Sequence, residues 1–138
     1  MSHLLDTNVL SELRRRAPDP RVTAWVDGQD PESLFLSVMT VYEIELGIRS
    51  VERRDPVQAS SLRTWFATRV LTEFADRVLP VDTPVAVRAA ALSVPDRRPR
   101  SDGLIAATAL VHGMPVVTRN VADFADVPGL AVLDPWRH

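Results

Sequence analysis

The sequence contains no cysteine and no lysine among its 138 residues. The first absence excludes disulfides, thiolate zinc sites, iron–sulfur clusters and thiol nucleophiles, and it fits a reducing compartment. The second leaves arginine as the sole source of basic charge. It removes P-loop nucleotide chemistry, Schiff-base catalysis and phosphoryl sites that depend on a lysine. Long hydrophobic runs are missing too, since none approaches the roughly 18 residues that a membrane-spanning helix needs. The opening Met1-Ser2-His3-Leu4-Leu5-Asp6 lacks the basic and then apolar order of an export signal. The expectation is a soluble, cytoplasmic chain with no membrane partner. Glycine is scarce, with five in the chain, and no G-x-G-x-x-G or G-x-x-x-x-G-K-[ST] loop follows any candidate strand.

What is present suits one globular unit. The chain is 46% hydrophobic and 25% charged, and a domain of this size buries roughly two-thirds of the surface its unfolded chain exposes. We expect one domain spanning residues 1–138. Sixteen basic and 18 acidic side chains give a net charge of -2, which excludes a uniformly basic nucleic-acid binder.

The hydrophobic pattern alternates between short apolar runs and helical periods. His3-Leu4-Leu5 reads as a strand that gives way after Asp6-Thr7-Asn8 to a helix carrying Val9, Leu10 and Leu13. Asp19-Pro20 opens a second helix, and Leu34 to Val38 reads as a buried strand followed by Thr40 as a helix cap. A helix with Val41, Ile44, Ile48 and Val51 precedes a longer one from Pro56, on which Leu62, Phe66, Val70 and Phe74 repeat every four residues. Val78 to Val81, Val116 to Thr118 and Leu130 to Leu133 are further strands. Helices lie between them from Thr83 to Val94, from Ser101 to Gly113 and from Asn120 to Ala125. The fold expected is α/β with helices around a mostly parallel sheet, and in such folds ligands bind beyond the carboxyl ends of the strands.

Those ends are acidic. Asp6 closes the first strand, Glu43 follows the second, Asp102 starts the helix after the Arg-rich linker, and Asp123 follows the strand ending at Thr118. Each acid also has a local explanation in capping: Asp6 for the first helix, Thr40-x-x-Glu43 as a capping box, Asp102 at a helix start, and Asn120-x-x-Asp123 as a cap with its acid. Capping gives no reason for all of them to share one edge. Four converging carboxylates would repel, and a divalent cation would relieve that repulsion. Oxygen ligands without histidine or cysteine select Mg²⁺ or Mn²⁺.

None of His3, His112 or His138 lies near these acids, so no imidazole base is assigned and the nucleophile expected is a metal-activated water. Arg97, Arg98, Arg100 and Arg119 flank the acids in sequence and are candidates for substrate phosphate. Arg49 and Arg77 read as solvated, paired one helical turn after Glu45 and Glu73. Trp25, Trp65 and Trp136 read as packing residues.

At this point a resemblance is specific. Leu4-Leu5-Asp6-Thr7-Asn8-Val9-Leu10-Ser11-Glu12 resembles the opening motif of PIN domains, in particular the VapC-type toxins of bacterial toxin–antitoxin pairs and their FitB-like relatives. Ser37 to Gly47 around Glu43, Asp102 to Ala109, and Val117 to Phe124 around Asp123 are similar to the family's other blocks in order and spacing, so the likeness covers essentially the whole chain. It implies a three-layer α/β/α PIN-like fold, cleavage of RNA dependent on Mg²⁺ or Mn²⁺, a homodimer and inhibition by a VapB-type antitoxin in an assembly that can be larger. It also implies metal-binding, catalytic roles for Asp6, Glu43, Asp102 and Asp123, with Thr118 and Asn120 shaping the site. One departure stands out: the family more often has Ala where this chain has Gly103. The reading that follows is a small endoribonuclease toxin. A lysine-dependent phosphatase or receiver domain is disfavoured by the missing lysine, and a catalytically inactive PIN-like module binding RNA or a partner is disfavoured by retention of the four acids.

Overall fold

The computed structural model describes residues 1–138. Each helix begins where the sequence supplies an oxygen for its free amides. Strand β1 (His3–Leu5) runs into helix α1 (Thr7–Arg14), capped by Asp6. Helix α2 (Pro20–Asp27) starts on an Asp cap followed by Pro, and α4 (Pro56–Trp65) repeats the device with Asp55. Between these lie β2 (Leu34–Ser37) and α3 (Val38–Glu52). Strand β3 (Val78–Leu79) leads through the Asp82 cap into α5 (Thr83–Leu92), and then come α6 (Arg100–His112), β4 (Val116–Val117) and β5 (Val132–Leu133). Gly113 ends α6 at φ +67, a left-handed conformation that glycine adopts without a Cβ clash.

All four strand pairings are parallel, in the order β3-β2-β1-β4-β5. Neighbouring Leu4 and Leu5 are 0% and 1% exposed and point to opposite faces, because side chains alternate along a strand. Leu5 joins Val9, Trp25, Leu36, Ile44, Phe66 and Val70 in the larger core under α1 to α4. Leu4 joins Ile105, Ala106, Ala109 and Phe124 under α6, with Val85, Ala89 and Ala107 extending that side to α5. Helices therefore cover both faces, the three-layer α/β/α arrangement expected. The chain starts in the middle of the sheet, builds outward to β3 and then crosses to β4. That reversal leaves a crevice between the carboxyl ends of β1 and β4.

The structure corrects three local expectations. Ser37, not Thr40, caps α3, its Oγ accepting the Met39 amide at 3.0 Å, and Thr40 is fully buried inside the first turn. The long helix after Pro56 loses α geometry at Phe66 and continues as a wider π segment to Thr72. Phe66, Val70 and Phe74, spaced four residues apart along and just past this segment, are all buried. The helix expected from Asn120 to Ala125 is a single 3-10 turn, Val121–Asp123. No helix is long and apolar enough to cross a membrane.

Candidate active site

Asp6 sits directly after β1 at the crevice and is 7% exposed. Its Oδ1 accepts the Thr7 backbone amide at 2.8 Å, and its Oδ2 accepts the Thr118 hydroxyl at 2.8 Å and the Asn8 side-chain Nδ2 at 3.4 Å. Thr118, fully buried, follows β4, the neighbouring strand. Its Oγ1 in turn accepts Asn8 Nδ2 at 3.1 Å and the Asn120 amide at 3.0 Å. Two adjacent strand ends are thus tied through one carboxylate and one hydroxyl. Glu43, half-buried on α3, joins from the second strand's side, its Oε1 accepting the Thr7 hydroxyl at 2.8 Å. The capping-box role for Glu43 is not realised, because its carboxylate is used on Thr7 across 36 residues.

Asp102 lies in the first turn of α6, whose capping residue, Pro99, offers no side-chain acceptor. Asp123 ends the 3-10 turn after β4, and Asn120 does not cap that turn with its side chain. Burial raises the Asp6 carboxyl above its ordinary value, the hydrogen bonds from Thr118 and Thr7 oppose that rise, and the charge of Asp123 adds to it. Glu43 is raised first by burial and further by Asp6 and Asp102, with the Thr7 hydroxyl acting against the shift. Asp102 is raised by burial, then by Asp123 and Asp6. The mutual repulsion links all four acids into one electrostatic unit.

Such a unit gains from a proton or a cation. No group of three His, Asp or Glu side chains is arranged around one point to hold an ion in this structure. The donor set nevertheless fits a hard divalent ion in kind, being carboxylate oxygens of like charge in a shared crevice. Hydrogen bonds to threonine hydroxyls hold Asp6 and Glu43 in their present orientations, so closing the acids about one ion requires side chains to turn.

The expected arginines divide. Arg98 is withdrawn from the crevice: its Nη atoms pair with both Asp126 oxygens at 2.8 and 3.2 Å, and its Nε donates to the Leu92 carbonyl at 2.8 Å. That corrects its expected role on phosphate. Arg97 and Arg100 are exposed at the entrance to α6. Arg119 is exposed beyond β4, its guanidinium 5.4 Å from the Trp136 ring centre. Arg49 pairs with Glu45 at 2.7 Å as expected, but Arg77 is buried. It braces the start of β2 by donating to the carbonyls of Leu34 at 2.9 Å and Glu73 at 2.8 Å. Sequence reasoning missed Thr7 and Asn8 as partners of the acids. Their position immediately after Asp6, at a strand-to-helix turn, was the available signal. The apolar cleft of about 490 Å³ beside Leu13, Trp65 and Phe74 contains none of the four acids.

A parallel sheet with helices on both faces, and an acidic crevice where its strand order reverses, places this chain in a definite class. The sequence profile of the PIN domain matches residues 3–130, and the chain belongs to the PIN domain family. It is 39% identical over 142 residues to the VapC ribonuclease Y4jK of Sinorhizobium fredii, covering 96% of each chain. It is also 39% identical over 140 residues to the toxin FitB of Neisseria gonorrhoeae, covering 96% of this chain and 97% of that one. In three dimensions it superposes on a chain in the crystal structure of FitAcB from Neisseria gonorrhoeae with a TM-score of 0.87, at 36% identity and 99% coverage of both chains.

Proposed function

We propose that this chain is a divalent-metal-dependent endoribonuclease toxin, folded as a single PIN-like domain over residues 1–138 and neutralised by a VapB-type antitoxin. The observation that carries this reading is the electrostatic coupling of Asp6, Glu43, Asp102 and Asp123 at the strand-order reversal. Relatives named as a VapC ribonuclease and as the toxin FitB supply the substrate class and the setting. The likeness to a chain of a toxin–antitoxin complex from Klebsiella pneumoniae, at 29% identity and a TM-score of 0.68, supports an antitoxin partner, and the toxin would act as a homodimer or within a larger toxin–antitoxin assembly.

Asp6 and Asp102 would hold the principal Mg²⁺ or Mn²⁺, with Asp123 completing the set. When bound, such an ion supplies positive charge for the scissile phosphate and lowers the pKa of water. Glu43, on giving up its Thr7 contact, would orient the attacking water and take its proton. Thr118 fixes the Asp6 carboxylate, and the Asn120 amide fixes Thr118. Arg97, Arg100 and Arg119 would meet phosphates on either side of the bond cleaved.

The test is cleavage of total RNA with added Mg²⁺ or Mn²⁺ by the full chain and by Asp6→Asn and Asp102→Asn. Loss of cleavage in folded variants is the expected result, whereas undiminished cleavage would sink the assignment. RNA binding by a chain that never cleaves would instead favour the inactive binding module.

A further inference from the structure

The carboxyl edge of the sheet does not end at the acids. Beyond β5 the chain turns at Asp134, and a groove of about 670 Å³ opens there, lined by Arg119, Asn120, Asp123, Val132, Asp134 and Arg137. Asp123 belongs to both, so the groove continues the acidic crevice toward the edge strand. Its volume falls within the range of roughly 300–1,000 Å³ typical of clefts that hold small ligands.

The two arginines on its walls are available in a way that several others in the chain are not. Arg15, Arg21, Arg49, Arg77 and Arg98 each have a carboxylate partner within 3.4 Å. Arg119 makes no such ion pair, although its charge is felt at Asp19: its guanidinium is 5.4 Å from the Trp136 ring centre, while its own amide is held by Asn8 Oδ1 at 3.2 Å. The indole steers the guanidinium without neutralising it. Arg137 is 88% exposed along its side chain and reaches Asp134 Oδ2 only at 3.8 Å, while the other Asp134 oxygen is taken by the Trp136 amide at 2.9 Å. Two arginines therefore line one groove, and a guanidinium is a planar donor fork of the kind that suits a phosphate diester.

Asp123 and Asp134 oppose the entry of any free anion into the same groove. A strand already held at the acids is different, since its next phosphate arrives at high effective concentration and needs little intrinsic affinity. We propose that the Arg119–Arg137 groove is a subsite for single-stranded RNA, binding a backbone phosphate adjacent to the bond cut at the acid cluster. This inference rests on the ribonuclease reading for its substrate, and it adds Arg137 and a direction of travel across β4 and β5.

The experiment measures binding of a fluorescein-labelled single-stranded RNA dodecamer to the full chain in Ca²⁺ by anisotropy, over a salt series. Arg119→Gln, Arg137→Gln and Arg49→Gln are compared with the parent. Removing one phosphate contact from a single strand should flatten the slope of log K against log salt by about 0.7. Arg119→Gln and Arg137→Gln should each do so and weaken binding roughly 3- to 10-fold at low salt, whereas Arg49→Gln, paired with Glu45 on α3, should stay close to the parent. An Arg137→Gln chain with unchanged affinity and slope overturns the proposal. So does an equal loss in Arg49→Gln, which would mark a general charge effect, and so does a parent chain that binds no RNA. Cleavage in Mg²⁺ is read in parallel: a parent that cleaves while Arg137→Gln binds normally refutes the groove alone. A parent that binds through both arginines yet never cleaves refutes the nuclease reading alone.

Discussion

The hydroxyl of Thr118 donates to Asp6 Oδ2 at 2.8 Å, and it has nowhere else to send its proton. A hydroxyl has one proton and two lone pairs, and both lone pairs of Thr118 are occupied, by Asn8 Nδ2 at 3.1 Å and by the Asn120 amide at 3.0 Å. The Asp6 carboxylate therefore keeps a fixed donor in a site that burial makes unfavourable for its charge. Thr118→Val removes the donor and leaves two N–H groups without an acceptor, whereas Thr118→Ser retains the network. Because partners that orient a ligating carboxylate are worth roughly 10–100-fold, RNA cleavage should fall by about that factor in the Val variant and by only a few-fold in the Ser variant. Equal rates in all three chains, each folded, would show that the hydrogen bond does not serve the site.

Asp6, Glu43 and Asp102 predict a pH signature opposite to that of ordinary surface pairs. Asp102 has its carboxyl raised above the usual 3.8 by burial and by Asp123 and Asp6. The folded chain thus binds its proton more tightly than the unfolded chain does, and stability contributed by this group falls as pH rises from the ordinary value through the raised one. Metal-free Asp102→Asn should therefore melt above the parent at pH 7, and the gap should close as pH is lowered through the carboxylate range. Added Mn²⁺ should raise the parent's Tm and move the variant's less. Thermal melts at several pH values with and without metal check both, and a variant that gains nothing at pH 7 contradicts the cost of holding a charged, part-buried Asp102 beside the other acids.

Glu12 works in the reverse direction. It is 5% exposed, and its Oε2 accepts the Asp19 amide at 2.8 Å, joining the end of α1 to the start of α2, with Arg15 at 3.2 Å. That backbone hydrogen bond, followed by Arg15 and the Trp136 indole, lowers its carboxyl below the usual 4.5 against the pull of burial. A lowered folded value means stability present above the unfolded value and lost as pH falls through the folded one. Glu12→Gln should cost about 1.5–3 kcal/mol at pH 7, the range of one hydrogen bond to a charged group, with the difference shrinking below pH 4.5. Denaturant unfolding at pH 7 and pH 3.5 reads this directly, and a cost independent of pH would assign the effect to packing.

The layered fold and the four acids were legible because they depend on local signals: short apolar runs, Asp caps before Pro, and acids placed after strands. Glu43, Arg77 and Arg98 show where that legibility stops. Thr40-x-x-Glu43 satisfies the capping pattern, yet Ser37, the last residue of β2, caps the helix three residues earlier, and the half-buried Thr7 hydroxyl takes the Glu43 carboxylate 36 residues away. Arg77 follows Glu73 at helical spacing, but the π segment and the turn into β3 bury it against the Leu34 carbonyl, a partner 43 residues away. Arg98 stands beside Arg97 in one linker, and only the position of Asp126, 28 residues on, separates the structural arginine from its exposed neighbour. Contacts that distant leave no trace in periodicity, whereas capping and alternation do.

Gly103 gives the remaining prediction. It occupies a helical position next to Asp102 in α6, at a negative φ, where glycine's conformational freedom serves no turn. A Cβ placed there meets no heavy atom within 4 Å, so Ala brings no clash. Gly costs roughly 0.5–1 kcal/mol against Ala inside a helix, largely through the entropy of the unfolded chain. Gly103→Ala should raise stability by about that amount and Tm by about 2–5 °C, and a stiffer first turn should hold Asp102 at least as well for cleavage. Scanning calorimetry and an RNA cleavage assay on the same preparation test the two parts. A lower Tm would mean that a neighbour fills the space beside Asp102. A higher Tm with lost cleavage would mean that Asp102 needs the freedom glycine gives its turn in order to close on the metal.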